Sequence, residues 1–334
     1  MPLLDVTDLR VTLPTARGPA LALRGVGFAM ERGDTLGLIG ESGCGKSMTA
    51  LALMGLLPEG AQVTGSIRFD GRELLGLDDA ALCTLRGNRI GMVFQEPMTA
   101  LNPLHTIGDQ VAEPLRLHHG ASRAAARAEA LRLLDRVQLP QAAQRLAAYP
   151  HQLSGGQRQR VCIAMALACG PDLLIADEPT TALDPPLQRE VLDLIAELVR
   201  DTGMGLLLIS HDLALMAQRV ARLLVMYGGS VVEDGPAAAV TVQPAHPYTR
   251  GLQAARPRLD APRGTRLLTI PGQVPELADL PAGCPYAGRC ERVVDTCRAA
   301  PVAPVAVAPS HRARCLRPLS PPPADARASS TPAP

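Results

Sequence analysis

The segment GESGCGKS, from Gly40 to Ser47, constrains the fold of this chain more than any other feature. Glycines at this spacing let backbone N–H groups turn inward around phosphate groups, as in the P-loop pattern. DTLGLIG before the segment predicts a strand, and MTALALMGLL after it predicts a helix. The positive end of that helix would face the phosphates, whereas an ordinary glycine turn would need no such context. The segment therefore predicts a nucleotide phosphate site in an α/β fold.

Lys46 is the only lysine among the 33 Lys and Arg residues of the chain. Since the sequence uses arginine almost everywhere else, a lysine here indicates that a compact ammonium group is required. We expect Lys46 to reach the β- and γ-phosphates and Ser47 to bind Mg²⁺. Cys44 is either a reactive thiol near a helix start or a small packing residue, and its position favours packing. The predicted nucleotide contacts in this loop are Gly40, Glu41, Ser42, Gly43, Cys44, Gly45, Lys46 and Ser47.

The segment LLIADE, residues 173–178, predicts a buried strand that ends in two acids. On its own this pattern is common at solvated strand ends, but it gains meaning beside a phosphate-binding loop. We expect Asp177 to hold Mg²⁺ and Glu178 to polarise the attacking water as a general base.

The order of predicted elements indicates an α/β core through residue 235 with a helical subdomain at about 97–170. Fifteen of the 31 prolines lie from residue 257 onward, which predicts a loop-rich carboxyl-terminal region. The predicted divisions are a nucleotide-binding domain at 1–235, a linker at 236–262, a small domain at 263–318 and a disordered tail at 319–334.

Composition excludes several classes of protein. A net charge of +1 and only 2% aromatic residues argue against a nucleic-acid partner. No apolar run approaches the roughly 18 residues that a membrane span needs. The amino terminus, MPLLDVTDLR, is unlike a signal peptide. We therefore expect a soluble cytoplasmic protein, in which cysteines are reduced or hold metal.

The octapeptide LSGGQRQR, residues 153–160, resembles the signature of ATP-binding cassette proteins. Physically it is a serine and two glycines at a helix start, which makes a second anion site or simply a capped helix. The resemblance implies that Ser154, Gly155 and Gly156 contact the γ-phosphate of ATP held by a second subunit.

Other segments of that family follow in order. Gln95 in VFQEP resembles the glutamine loop, Asp184 in TALD the D-loop, and His211 in LLISHDL the switch histidine. The resemblance implies that Gln95 and His211 act with Glu178 in catalysis, and that Gln95 joins Ser47 and Asp177 around Mg²⁺. It implies an α/β fold of the P-loop cassette type with a helical subdomain. The family's adenine-stacking aromatic aligns with Ala20, so weak base selectivity is expected.

The segments QEPMTALNP, HPYTRGL and PGQVPELADLPAGCPYAGRC resemble the ATPase subunits of oligopeptide and dipeptide importers. The resemblance implies a head-to-tail dimer with a second ATPase subunit, by family habit a paralogue. Two transmembrane permeases and, indirectly, an extracytoplasmic solute-binding protein complete the assembly at the cytoplasmic face of the inner membrane. The alternatives are a cytosolic cassette ATPase without a permease and a regulator that binds ATP without hydrolysing it.

Four cysteines cluster within 32 residues near the carboxyl end: Cys284, Cys290, Cys297 and Cys315. Such a window holds about 0.8 cysteine at the chain's average, so the cluster needs a cause. Disulfides are not expected in a reducing compartment, and the spacing by itself leaves zinc and iron–sulfur open. The resemblance implies a 4Fe-4S cluster that is structural and lies well away from ATP.

Overall fold

The computed structural model describes residues 1–181, 183–255 and 268–319, which form twelve strands with helices around them. The strands in chain order are β1 (Leu4–Thr15), β2 (Gly18–Met30), β3 (Thr35–Ile39), β4 (Gln62–Phe69), β5 (Arg72–Glu73), β6 (Ile90–Val93), β7 (Leu173–Asp177), β8 (Gly205–Ser210), β9 (Arg222–Tyr227), β10 (Ser230–Pro236), β11 (Val305–Ala308) and β12 (His311–Ala313). The α-helices are α1 (Lys46–Met54), α2 (Asp79–Cys83), α3 (Pro97–Ala100), α4 (Ile107–His119), α5 (Arg123–Arg136), α6 (Ala142–Arg145), α7 (Gly155–Leu167), α8 (Pro185–Thr202), α9 (Leu213–Ala217), α10 (Ala237–Val242), α11 (Pro247–Ala254) and α12 (Thr296–Ala299). Two short 3-10 helices lie at Pro150–Gln152 and Leu277–Asp279.

The larger sheet has eight strands in the order β11-β12-β10-β9-β3-β8-β7-β6. The five strands from β9 to β6 run parallel, and β10, β12 and β11 add antiparallel. Because the carboxyl ends of parallel strands share one edge, the residues that follow β3, β6, β7 and β8 lie side by side. This edge is where the predicted functional residues sit.

The smaller sheet, β2-β1-β4-β5, is antiparallel and covers one face of the larger sheet together with α1. Side chains of the central strands alternate between the two faces, as a period of two requires. Leu207 and Ile209 of β8 pack into the core shared with the small sheet, and Leu206 and Leu208 pack against the helices on the opposite face. The parallel strands are therefore buried on both sides.

Helix α8 shows how local signals and burial agree. Asp184 caps its start by accepting a hydrogen bond from the Leu187 N–H at 3.0 Å, and Gly203, with φ of +68°, ends it. The apolar face of this helix is buried at Val191, Leu194, Ile195 and Leu198, whereas Leu187 is only half-buried.

Between residues 97 and 170 the described chain is helical, from α3 through α7. Helices α4, α5 and α7 share one core with α8, and it includes Val111, Leu134 and Ile163. None of the helices that the structure describes combines the length and apolar character that a bilayer-spanning helix requires.

The carboxyl-terminal region is joined to the core rather than set apart from it. The segment assigned to a linker contains α10 and α11, and β11 and β12 extend the larger sheet. The buried carboxylate of Glu233 accepts hydrogen bonds from the backbone N–H groups of Ala245 and His246 at 2.7 and 2.8 Å, and it pairs with the His311 Nε2 atom at 2.8 Å. The predicted tail at 319–334 and the end of the predicted linker lie almost wholly outside the described residues.

Substitution Glu233→Ala should destabilise the fold, because it leaves three buried polar groups without their acceptor. Each such loss costs about 1–3 kcal/mol, so we expect a loss of about 3 kcal/mol or more in the free energy of unfolding. Chemical denaturation should measure this loss, with the exposed Glu197→Ala as control. Equal stability of the two variants would show that Glu233 does not hold the carboxyl-terminal region in place.

Candidate nucleotide-binding site

The predicted P-loop connects the end of β3 to the start of α1, as the sequence pattern required. Gly43 and Gly45 have φ of +78° and +104°, a region that disfavours other residues, and a Cβ at position 45 would lie 2.7 Å from Leu23. The side chain of Lys46 is buried and donates hydrogen bonds to the carbonyl oxygens of Gly40 and Glu41 at 2.9 and 3.3 Å. The backbone of the loop thus curves around the ammonium group of Lys46.

A cavity of about 290 Å³ lies against this loop. It brings together seven of the predicted site residues: Ser42, Gly43, Gly45, Lys46, Ser47, Gln95 and Glu178. Gly40, Glu41 and Cys44 belong to the same loop but do not line the cavity in the described part of the chain. Cys44 is buried, and this burial raises the pKa of its thiol, which fits a packing role.

The carboxylate of Glu178 is the centre of the polar end of this cavity. It lies 3.7 Å from the Lys46 Nζ atom and accepts hydrogen bonds from Gln95 at 3.3 Å and Thr181 at 2.8 Å. The Nδ1 atom of His211 lies 3.3 Å from the same carboxylate. The hydrogen bond with His211 is the main cause that lowers the pKa of Glu178 to about 2, and it raises the pKa of His211. Glu178 is therefore ionised at neutral pH.

Asp177 ends β7 beside the P-loop and is 5% exposed. Ser47 hydrogen-bonds to its carboxylate, whose Oδ1 atom is buried without a partner in the described structure. Burial raises the pKa of Asp177. A buried acceptor without a partner, next to a hydroxyl group, is the donor set that Mg²⁺ or a Mg²⁺-bound water would satisfy. Gln95, the third predicted Mg²⁺ ligand, lines the same cavity.

The signature segment lies elsewhere on the surface. Ser154 is exposed and caps α7 by accepting a hydrogen bond from the Gln157 N–H at 3.4 Å. A Cβ added to Gly156 would overlap the end of the Leu187 side chain of α8, so a larger residue there would have to displace Leu187. Within the described residues, Ser154, Gly155, Gly156 and Asp184 do not line the P-loop cavity. A single chain therefore does not bring the two predicted phosphate sites together.

Apolar side chains also line the cavity, and sequence reasoning missed them. They are Leu13, Ala22, Met48 and Leu277. Ala20, which the family alignment had indicated, is buried opposite Leu13 in the β1–β2 pairing and does not line the cavity. Leu277 comes from the carboxyl-terminal region, and no local signal marks it in the sequence. Its short helix is tied to β1 and β2 through Arg17, which pairs with Glu276 and Asp279 at 2.9 and 2.8 Å.

The four clustered cysteines line one small cavity of about 20 Å³. Burial raises the pKa of Cys284 to about 11 and also raises the pKa values of Cys290 and Cys315. Across residues 1–181, 183–255 and 268–319, no group of three or more His, Cys, Asp or Glu residues has an arrangement that could hold a metal ion. The predicted convergence of the thiols is observed, whereas the predicted metal centre is not confirmed.

The carboxyl-terminal region contacts the P-loop, whereas the expected distance between a cysteine-bound cluster and ATP stays a prediction. Arg289, next to Cys290, pairs with Glu41 of the P-loop at 2.7 Å, and the Tyr248 hydroxyl accepts a hydrogen bond from the Glu41 N–H at 2.8 Å. The reason is that Tyr227, at the end of β9, packs against Tyr248 and Tyr286 and so draws the carboxyl-terminal region to the P-loop edge of the sheet.

Solved structures define the class of this fold. A dimeric ATP-binding cassette in a post-hydrolysis state, bound to ADP and Pi, matches with a TM-score of 0.64 and 29% identity over 70% of this chain and 98% of that one. A family model for ABC transporters matches residues 23–181, which include the P-loop and the signature segment. The fold and the site together are those of an ATP-binding cassette.

Sequence relatives show to which group of ATP-binding cassette proteins the chain is similar. A model for the carboxyl-terminal region of oligopeptide/dipeptide transporters matches residues 232–297. A putative peptide import ATP-binding protein of Brucella melitensis is 49% identical, covering 95% of this chain and 97% of its own. The oligopeptide transport ATP-binding protein OppD of Salmonella typhimurium is 48% identical, covering 95% and 94%. OppD of Mycobacterium tuberculosis is 50% identical over 95% of this chain, but the chain spans about half, 52%, of that relative's length. The chain therefore belongs to the oligopeptide and dipeptide transport ATP-binding group of the ABC transporter family.

The aliphatic lining of the cavity leads us to expect weak discrimination between nucleotide bases. Stacking a base on an aromatic ring contributes roughly 1–3 kcal/mol, and no aromatic residue is among those that line this cavity in the described chain. We expect GTP to bind nearly as tightly as ATP, and Leu13→Tyr to tighten the binding of ATP. Nucleotide titrations of both proteins test this, and a wild-type protein strongly selective for ATP would contradict it.

Proposed function

We propose that this chain is the ATP-hydrolysing subunit of an importer that carries peptides or a related small solute through partner permeases. The observation that carries the proposal is the position of Glu178, whose carboxylate meets Lys46, Gln95 and His211 at the end of the P-loop cavity. A carboxylate held ionised beside a phosphate-binding lysine suits the activation of water for attack on the γ-phosphate.

Each residue of the cavity has a separate task in this proposal. The P-loop N–H groups and Lys46 bind the phosphates, and Ser47, Asp177 and Gln95 hold Mg²⁺. Bound Mg²⁺ would neutralise charge on the phosphate oxygens. Glu178 accepts the proton of the attacking water, and His211 holds the Glu178 carboxylate in place through their hydrogen bond.

The exposed Ser154 at the start of the signature segment supports a head-to-tail dimer with a second cassette subunit. Ser154 and Gly155 begin a 13-residue helix, and among the described residues a Cβ added to Gly155 would meet only Leu183, at 3.8 Å. An open helix start of this kind offers N–H groups to an anion. In the proposed dimer Ser154, Gly155 and Gly156 contact ATP on the partner subunit, and Asp184 lies at the same interface. A paralogue is the partner that the importer family leads us to propose.

The remaining partners follow from the family. We propose two permease subunits that contact the helical region at about 97–170, an extracytoplasmic solute-binding protein that delivers substrate, and a peripheral position at the cytoplasmic face of the inner membrane. The match of residues 232–297 to the transporter carboxyl-terminal region favours this assembly over a cassette ATPase without a permease. The proposed divisions of the chain are those given by the sequence: 1–235, 236–262, 263–318 and 319–334.

Substitution Glu178→Gln should leave ATP binding intact and slow hydrolysis by about 10²–10⁴, the usual contribution of a general base. It should also trap the closed dimer, which gel filtration with ATP would detect. The exposed Glu197→Gln serves as the matched control. Hydrolysis by Glu178→Gln at the wild-type rate would show that another group acts as the base.

The four cysteines are proposed to hold a structural 4Fe-4S cluster, with a single zinc ion as the alternative. Support comes from the convergence of Cys284, Cys290, Cys297 and Cys315 on one cavity. Their spacing in the chain is wider than in common zinc sites. Four thiolates at one centre would also order a loop-rich region that has few large apolar residues.

Protein purified without oxygen should be brown and carry about four irons per chain, and Cys290→Ser should bleach it. Cys83→Ser, at an exposed cysteine outside the group, should keep the colour. Colourless protein with one zinc per chain would establish the alternative. Metal-free protein in which the carboxyl-terminal region still resists proteolysis would contradict both.

A further inference from the structure

Glu41 places a negative charge inside the loop that must bind a polyanion. An unpaired carboxylate there would oppose the binding of phosphate through space, because like charges repel strongly at short range. The structure pairs this carboxylate with Arg289 in a two-pronged geometry, with Nη1 at 2.7 Å from Oε2 and Nη2 at 3.2 Å from Oε1. The Arg289 side chain is only 6% exposed and the Glu41 side chain 28%, so solvent screens the pair only in part.

The Arg289 guanidinium is itself fixed by its surroundings. It donates hydrogen bonds to the carbonyl oxygens of Pro271 and Ile270 at 2.7 and 3.3 Å and to the Tyr227 hydroxyl at 3.3 Å. Its central carbon lies 5.7 Å from the centre of the Tyr227 ring. The carboxyl-terminal region therefore determines where the Arg289 guanidinium lies relative to the P-loop.

Glu41 is also held through its backbone. Its N–H group donates to the hydroxyl of Tyr248, which is fully buried and packs against Tyr227 and Tyr286 with ring centres 4.7 and 5.3 Å apart. Both ends of the residue thus contact the carboxyl-terminal part of the chain. The carboxyl-terminal part of the chain therefore helps to position Glu41 within the P-loop.

We propose that Arg289 is a positioning residue for the ATP site, which neutralises and orients Glu41 so that the P-loop accepts a triphosphate. The inference rests on the proposed function in that it requires ATP to bind this loop. It makes the cysteine-bearing region a working part of the nucleotide site, because the residue that completes the loop's charge balance lies 248 positions away from Glu41.

The test compares Arg289→Gln, Glu41→Gln and the double variant by titration with Mg-ATP and Mg-ADP. Arg289→Gln should weaken ATP binding about tenfold and ADP binding less, because ATP carries more negative charge, and the difference should shrink at high salt. Glu41→Gln should bind ATP at least as tightly as wild type, and the double variant should recover to within about threefold. Arg298→Gln, an exposed arginine of the same region, is the control for loss of one positive charge.

The double variant distinguishes a charge-balancing role of Arg289 from a role in packing alone. If Arg289 only supports packing, the double variant will bind ATP as weakly as Arg289→Gln, and that result would overturn the proposal, as would an unchanged affinity in Arg289→Gln. Should Arg289→Gln fail to fold, Arg289→Lys is measured instead: it keeps the charge and should bind ATP within about threefold of wild type, and a tenfold loss there would overturn the proposal. Wild-type protein that binds ATP without hydrolysing it would contradict the proposed function and leave this comparison, which uses binding alone, intact.

Discussion

The parallel pairing of β6, β7, β8 and β3 is the constraint on which the site depends. Backbone hydrogen bonds fix the spacing of these strands, and each ends at the same edge of the sheet. Gln95, Glu178 and His211 follow three of the strands, and the P-loop follows the fourth. The sheet itself therefore places Gln95, His211 and the P-loop next to the Glu178 carboxylate, and no special packing of the loops is needed.

The P-loop is held both by its own lysine and by an arginine of the carboxyl-terminal region. Lys46 contacts the carbonyl oxygen of Glu41 from within the loop, and Arg289 contacts the Glu41 carboxylate from the carboxyl-terminal region. Glu233 anchors that region to the sheet through buried hydrogen bonds. Two buried polar contacts, one in the sheet and one at the loop, thus join what the composition of the chain had suggested were separate parts.

Local signals predicted much of this structure. The strand at 173–177 matches the predicted segment, and the P-loop lies between a strand and a helix as its pattern predicted. What sequence could not predict are contacts between distant positions: Leu277 in the cavity, Arg289 on Glu41 and His311 on Glu233. None of these has a local pattern, since each partner is brought close by tertiary packing: β12 pairs with β10 beside Glu233, Tyr227 packs against Tyr248 and Tyr286, and Arg17 pairs with Glu276 and Asp279. The alignment at Ala20 stays a prediction: in the described chain Ala22, two positions further along β2, lines the cavity and Ala20 does not.

The contact of Gly156 with Leu187 has a mechanical consequence. The Leu187 side chain of α8 occupies the space that a side chain at position 156 would need, so the start of α7 packs directly on α8. The turn that carries Ser154 and the helix that Asp184 begins therefore meet at this contact. A displacement of α8 would disturb the packing beneath the signature turn.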